Sequence, residues 1–189
     1  MPARPLPYNL AVAATVATDR VNLQLSNRGR VGAVFHTRYR TADVAPGLHA
    51  EMFTVDARHH LSTTLPPSAD GGFDLEVHGP NGFYRRLSGV AAPGPEVTTT
   101  AVESAQQLRL VLTNQGAAVN LTITDNRSGR RPITVYLRRV GSVSHIVGGH
   151  ADGWYDVTIA SGSDARFLRR LAGHIENRRS SCSDPSFGR

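Results

Sequence analysis

The chain has 189 residues, 40% of them hydrophobic and 19% charged, with a net charge of +6. That composition excludes a disordered polymer, and the lone Cys182 excludes an intrachain disulfide and any Cys-based metal site. All 21 basic residues are Arg; residues 1–92 hold 9 Arg against 7 acids and residues 93–189 hold 12 against 8, a mild tilt rather than the basic face of a nucleic-acid-binding protein. No apolar run approaches membrane-spanning length, and Met1-Pro2-Ala3-Arg4-Pro5 lacks the apolar stretch of a signal peptide.

In chain order, residues 1–7 are Pro-rich and read as an extended segment. Leu10, Val12 and Val16 alternate loosely, and Val21, Leu23 and Leu25 alternate strictly with Asn22, Gln24 and Ser26, the pattern of a half-buried strand. Asn27-Arg28-Gly29-Arg30 is a turn. Strands follow over Gly32 to Tyr39, His49 to Val55 and His59 to Leu65, with a loop at Pro46-Gly47. Pro66 to Gly72 is a loop, after which Phe73, Leu75 and Val77 alternate with Asp74, Glu76 and His78. Gly79-Pro80-Asn81-Gly82 predicts a hairpin turn, with Phe83 to Leu87 as its return strand.

Residues 91–96 (Ala-Ala-Pro-Gly-Pro-Glu) lack periodicity and read as a linker. The plan then recurs. Leu108, Leu110 and Leu112 run into Asn114-Gln115-Gly116, matching Leu23, Leu25, Asn27 and Gly29. Strands are predicted over Val119 to Ile123, Ile133 to Leu137, Val143 to Val147, Trp154 to Ile159 and Phe167 to Ile175. Residues 164–173 carry a helix-like Asp cap and terminal Gly, but the matching first copy follows a hairpin turn, so strand is preferred for both.

Two phrases make the repetition explicit. Gly82-Phe83-Tyr84-Arg85-Arg86-Leu87-Ser88-Gly89 recurs as Arg166-Phe167-Leu168-Arg169-Arg170-Leu171-Ala172-Gly173, with Phe167 lying 84 residues after Phe83. Upstream, Gly71-Gly72-Phe73-Asp74-Leu75-Glu76-Val77 matches Gly153-Trp154-Tyr155-Asp156-Val157-Thr158-Ile159 as Gly-x-aromatic-Asp-aliphatic-x-aliphatic. Many short strands in a duplicated unit predict an all-β chain: two tandem immunoglobulin-like antiparallel β-sandwiches over residues 8–90 and 97–176, with a polar tail over 177–189.

The candidate sites are few. On a strand Phe83, Arg85 and Leu87 share one face, so one Arg of each pair stands in an apolar row. This predicts a half-buried Arg paired with an acid, Glu76 being the mate proposed for Arg85. The functional alternative is an anion- or lipid-binding set: Arg85, Arg86, Arg169 and Arg170, with Phe83 and Trp154 as exposed aromatics at hairpin tips. Asp74 and Asp156 read as loop caps or Arg partners rather than catalytic acids. The eight His show no metal-ligand spacing, and His59-His60 would point to opposite faces of a strand, so no metal or cofactor is expected. No nucleophile elbow or phosphate-cradling loop is present.

Several strings resemble those of a known family. They are Leu6-Pro7-Tyr8, Gly32-Ala33-Val34-Phe35-His36 and, most specific, His78-Gly79-Pro80-Asn81-Gly82-Phe83. In the second unit they are Leu112-Thr113-Asn114-x-Gly116, Thr124-Asp125-Asn126, Trp154-Tyr155-Asp156-Val157, Phe167-x-Arg169-Arg170-x-x-Gly173 and Ser183-Asp184-Pro185. Over nearly its whole length the chain resembles the tandem C-terminal domains of the bacterial phosphocholine-specific phospholipases C, of non-haemolytic and haemolytic type. The resemblance implies a non-catalytic accessory module of an exported enzyme. Its partner would be an alkaline-phosphatase-like catalytic domain of the same polypeptide, which carries the metal and the catalytic residues. A membrane lipid surface is the second partner considered; nucleic acid is not expected.

Overall fold

The computed structural model describes residues 2–17, 19–41, 47–148 and 152–183. Pro46 and Asp184-Pro185, singled out above, and His150, one of the eight His, lie outside them. The first repeat contains β2 (Leu10–Ala17), β3 (Arg20–Asn27), β4 (Ala33–Thr41), β5 (Gly47–Val55), β6 (His59–Leu65), β7 (Gly72–His78) and β8 (Tyr84–Val90). The second contains β9 (Pro95–Val102), β10 (Gln107–Asn114), β11 (Val119–Asp125), β12 (Ile133–Leu137), β13 (Gly141–Gly148), β14 (Trp154–Ser161) and β15 (Leu168–His174). Short strands β1 (Pro2–Ala3) and β16 (Ser181–Cys182) pair with each other, so the polar tail contributes a piece of sheet as far as Cys182. Among the described residues the helical content is one 3-10 turn, Glu103–Ala105.

The alternation seen in the sequence is the burial pattern. In β3, Val21, Leu23 and Leu25 are fully buried while their neighbours face outward; in β10, Leu108, Leu110 and Leu112 do the same. The strand β9 has no expected counterpart: Pro-Glu-Val-Thr-Thr-Thr-Ala-Val offers only Val97 as a strongly buried position, and its Pro95 suits an edge.

Each repeat sets three strands against four. The first pairs β2-β3-β6 and β5-β4-β7-β8; the second pairs β9-β10-β13 and β12-β11-β14-β15. Seven antiparallel strands in this order are consistent with the immunoglobulin-like class. The fourth strand of each repeat sits beside the third, not with the first, second and fifth as in immunoglobulin constant domains. Each sandwich encloses its own core, one centred on Leu23, Leu25, Phe35, Leu75 and Val77, the other on Leu110, Leu112, Leu121, Leu137 and Ile159.

The corner after β3 is built identically in both copies. Asn27 is fully buried and its Nδ2 donates to Val31 O at 2.8 Å and Val55 O at 3.0 Å, while Gly29 N donates to its Oδ1 at 2.9 Å. Asn114, equally buried, donates to Ala117 O at 2.7 Å and Arg138 O at 3.2 Å and accepts from Gly116 N at 2.9 Å. A side chain on Gly29 or Gly116 would lie 2.3 Å from Pro7 O or 2.6 Å from Pro93 O, so glycine is required by close approach.

The two sandwiches are not separate beads. Strand β8 pairs with β15, which fuses the two four-stranded sheets into one sheet of eight. The register places Arg86 opposite Arg170, its own equivalent in the repeat. A residue facing its own copy across an antiparallel pair marks a two-fold axis, here a pseudo-two-fold within one chain. In the other layer β2 lies beside β9, where Val16 N donates to Glu96 Oε1 at 3.1 Å and Asn9 Nδ2 to Glu103 Oε1 at 2.7 Å.

Candidate functional site

The return strand of each hairpin supplies the residues on the axis. The Gly79–Gly82 turn forms as the sequence predicts, with Asn81 and Gly82 at φ 58° and 66° and Gly79 N bonded to Phe83 O. It launches β8 so that Phe83, Arg85 and Leu87 point inward and Tyr84 and Arg86 outward.

The outward Arg residues are ion-paired. Arg86 forks onto Asp74 through Nε at 3.0 Å and Nη2 at 2.9 Å; Arg170 forks onto Asp156 at 3.1 and 2.8 Å. Hydrogen bonding to these carboxylates raises both guanidinium pKa values. Partial burial works to raise the Asp156 carboxyl, but hydrogen bonds from Arg170 and Asn126 and nearby cations together outweigh it and hold it below the usual carboxylate range. Asp74 and Asp156 are thus Arg partners. Tyr84 donates to Glu76 at 3.2 Å, and burial followed by the Glu76 charge raises its phenol.

The inward Arg residues depart from expectation. Arg85 is 1% exposed, not half-buried, and Glu76 is not its mate. Glu76 opposes Arg86 in register, on the outer face, so the pleat keeps it on the other side of the sheet from Arg85. Arg85 Nη1 instead donates to Tyr84 O at 2.8 Å and, across the axis, to Ala172 O at 2.9 Å; Nη2 donates to Tyr155 Oη at 2.8 Å. Its guanidinium carbon lies 4.1 Å from the Phe83 ring centroid and 5.5 Å from that of Tyr155.

Arg169 mirrors it. Nη1 donates to Leu168 O at 2.9 Å and across the axis to Ser88 O at 2.6 Å, and the guanidinium lies 4.5 Å from Phe167 and 5.6 Å from Phe73. Neither inward Arg has an ion-pair partner among the described residues; ring faces and backbone carbonyls replace the acid. Burial pushes the Arg169 guanidinium down to about 10, with Glu96 acting weakly in the other direction.

Phe83 and Trp154 are also corrected. They are 6% and 7% exposed, because one lies under the axis and the other under the C-terminal segment. Phe83 meets Phe35 edge-on at 5.9 Å; Trp154 packs on His174 at 4.9 Å and donates from Nε1 to Cys182 O at 3.0 Å. Sequence reasoning missed His174 and Glu176, which are buried together: His174 Nδ1 meets Glu176 Oε1 at 2.9 Å, and Asn81 Nδ2 donates to the same oxygen at 2.8 Å. No motif marked them, and Asn81, which bonds Glu176, comes from the other repeat, 95 residues away. Among the described residues no group of three or more His, Cys, Asp or Glu is placed to hold a metal ion.

The two-sandwich architecture and duplicated axis define a tandem β-sandwich module. The family model of the bacterial phospholipase C C-terminal domain matches residues 2–90 and again 95–174, and the chain belongs to that family. It is 36% identical to a non-hemolytic phospholipase C of Pseudomonas aeruginosa over 99% of the chain and 28% of that protein. A non-hemolytic phospholipase C of Burkholderia pseudomallei is 35% identical over 97% of the chain and 27% of its own length. For a hemolytic phospholipase C of Pseudomonas aeruginosa the values are 31%, 97% and 29%. The chain therefore spans less than a third of the curated relatives it matches.

Proposed function

We propose that this chain is the non-catalytic C-terminal accessory module of a secreted bacterial phospholipase C acting on phosphatidylcholine. It docks on and stabilises an alkaline-phosphatase-like catalytic domain of the same polypeptide. The reading is carried by the family match over both repeats together with the share of 27–29% of the relatives' length, which leaves most of those enzymes for another domain. In this reading residues 8–90 and 97–176 are the two repeats, 91–96 joins them, and Arg85 and Arg169 serve the joint. The test compares the parent enzyme with a version truncated before this module. Loss of thermal stability on truncation, restored by adding the 189-residue chain in trans, is expected. Hydrolysis of phosphatidylcholine or a phosphocholine ester by the isolated chain overturns the reading.

A second reading, a module that lies on a lipid surface or captures phosphocholine, retains the +6 charge and the exposed Met52 and Tyr136, 72% and 59% accessible. Flotation with zwitterionic and anionic vesicles at low salt decides it. Binding that fades with added salt supports a surface-charge contribution, and no binding removes this reading.

A further inference from the structure

The pseudo-two-fold makes each half of the molecule a control for the other. Arg85 and Arg169 occupy equivalent places, each with Nη1 on two backbone carbonyls and its guanidinium against two rings. Beside Arg85 the second ring is Tyr155, whose hydroxyl accepts from Nη2. Beside Arg169 it is Phe73, at nearly the same ring distance, 5.6 against 5.5 Å, with no hydroxyl to offer. Arg169 is 3% exposed, and among the described residues its Nε and Nη2 donate to nothing. These donors are not sealed in: the Nε of Arg85 is a buried atom without a partner, whereas no atom of Arg169 is.

The cavities at the two ends of the joint differ as well: Arg169 lines the one at its end, whereas Arg85 lies behind Phe83 and Tyr155 and does not line the other. Next to Tyr155 and Phe83 the cavity is about 30 Å³, room for about one water, and His174, Glu176 and Asn81 line it. At the other end Val90 and Ala92 stand where His174 and Glu176 do, and a cavity of about 210 Å³ opens against Arg169. Two carboxylates line it. Glu96 uses Oε1 for Val16 N, and Asp164 uses Oδ1 for Arg166 N at 3.0 Å; each keeps a second oxygen without a described hydrogen bond.

A buried guanidinium with spare donors favours an oxygen acceptor, and the Nε–Nη2 edge presents two parallel donors to one anionic group. One cation and two carboxylates around a small cavity disfavour a bare dianion and suit a ligand carrying both signs. We propose that this cavity binds a small zwitterion, its anionic oxygens on the Nε–Nη2 edge of Arg169 and its ammonium end toward Glu96 and Asp164. The site is independent of whether the module docks on a catalytic domain.

Calorimetric or NMR titration of the 189-residue chain tests it, with O-phosphoethanolamine as a phosphoryl zwitterion, β-alanine as a carboxylate one and inorganic phosphate as the dianion. Saturable binding of at least one zwitterion is expected, and which one saturates identifies the anionic group. Inorganic phosphate should bind at least about tenfold more weakly. Phe73→Tyr supplies the missing hydroxyl and should weaken the zwitterion about tenfold or more while the melting temperature holds or rises. Glu96→Gln should narrow the gap between zwitterion and phosphate. Failure of both zwitterions to saturate, undiminished binding by a folded Phe73→Tyr, or phosphate binding as tightly as the zwitterions overturns the proposal.

Discussion

The two repeats agree where the backbone has no alternative and differ where it does. Asn27 and Asn114 hold matching corners because each, itself fully buried, bonds two backbone carbonyls and one backbone amide around the turn. The Asp74–Arg86 and Asp156–Arg170 forks repeat beside the axis. Arg85 and Arg169 both cross that axis to a carbonyl of the other repeat. Around them the copies part: Tyr155 answers Phe73, His174 and Glu176 answer Val90 and Ala92, and the cavity at one end of the joint is about 30 Å³ against about 210 Å³ at the other. Duplication evidently fixed the parts that seat one sheet on the other and left the periphery of each buried Arg free to diverge.

That comparison is sharpest at the two Arg residues. Arg85→Ala should cost about 3–5 kcal/mol, because it empties a fully buried site and leaves Ala172 O and the Tyr155 hydroxyl unpartnered. Arg169→Ala should cost about 1–2 kcal/mol less, since it strands one carbonyl of the other repeat and no hydroxyl, and relieves an undersatisfied cation. Urea titrations measure both; an Arg169 loss equal to or larger than that of Arg85 breaks the claimed asymmetry.

Exchanging the second ring is a smaller effect of opposite sign in the two halves. Tyr155→Phe should destabilise by about 1–2 kcal/mol by removing the acceptor of Arg85 Nη2, and Phe73→Tyr should stabilise by about 0.5–1.5 kcal/mol by providing one for Arg169. Destabilisation by both changes would mean that the space beside Phe73 does not admit the hydroxyl.

The smallest effect is a pH dependence on the outer face. The Asp156 carboxyl is held below its ordinary value in the fold, so its contribution to stability is present above the unfolded carboxylate pKa and is lost as pH falls through the folded one. Asp156→Asn should therefore lower stability at neutral pH and flatten its decline below about pH 4. An acid limb identical to that of the unsubstituted chain would show that Arg170 draws nothing from the pair.

Local signals carried much of this fold. Period-two alternation located β3, β7 and β10 because their alternate residues face one core, and Asn81-Gly82 located the hairpin because its backbone needs positive φ. The strand β9 escaped notice because an edge strand rich in Thr buries too little to show a period. The partners of Arg85 escaped because it looks for acid in sequence but finds Tyr155, 70 residues away, across a joint between repeats. By itself the sequence determined that this protein is a duplicated all-β chain, since repeat and alternation are one-dimensional properties. Only the tertiary structure decided that β8 pairs with β15, that two guanidiniums are buried on rings and carbonyls rather than on acids, and that one of them faces an open cavity. Edge pairing and desolvation depend on which surfaces meet, and the order of residues along one strand does not contain that information.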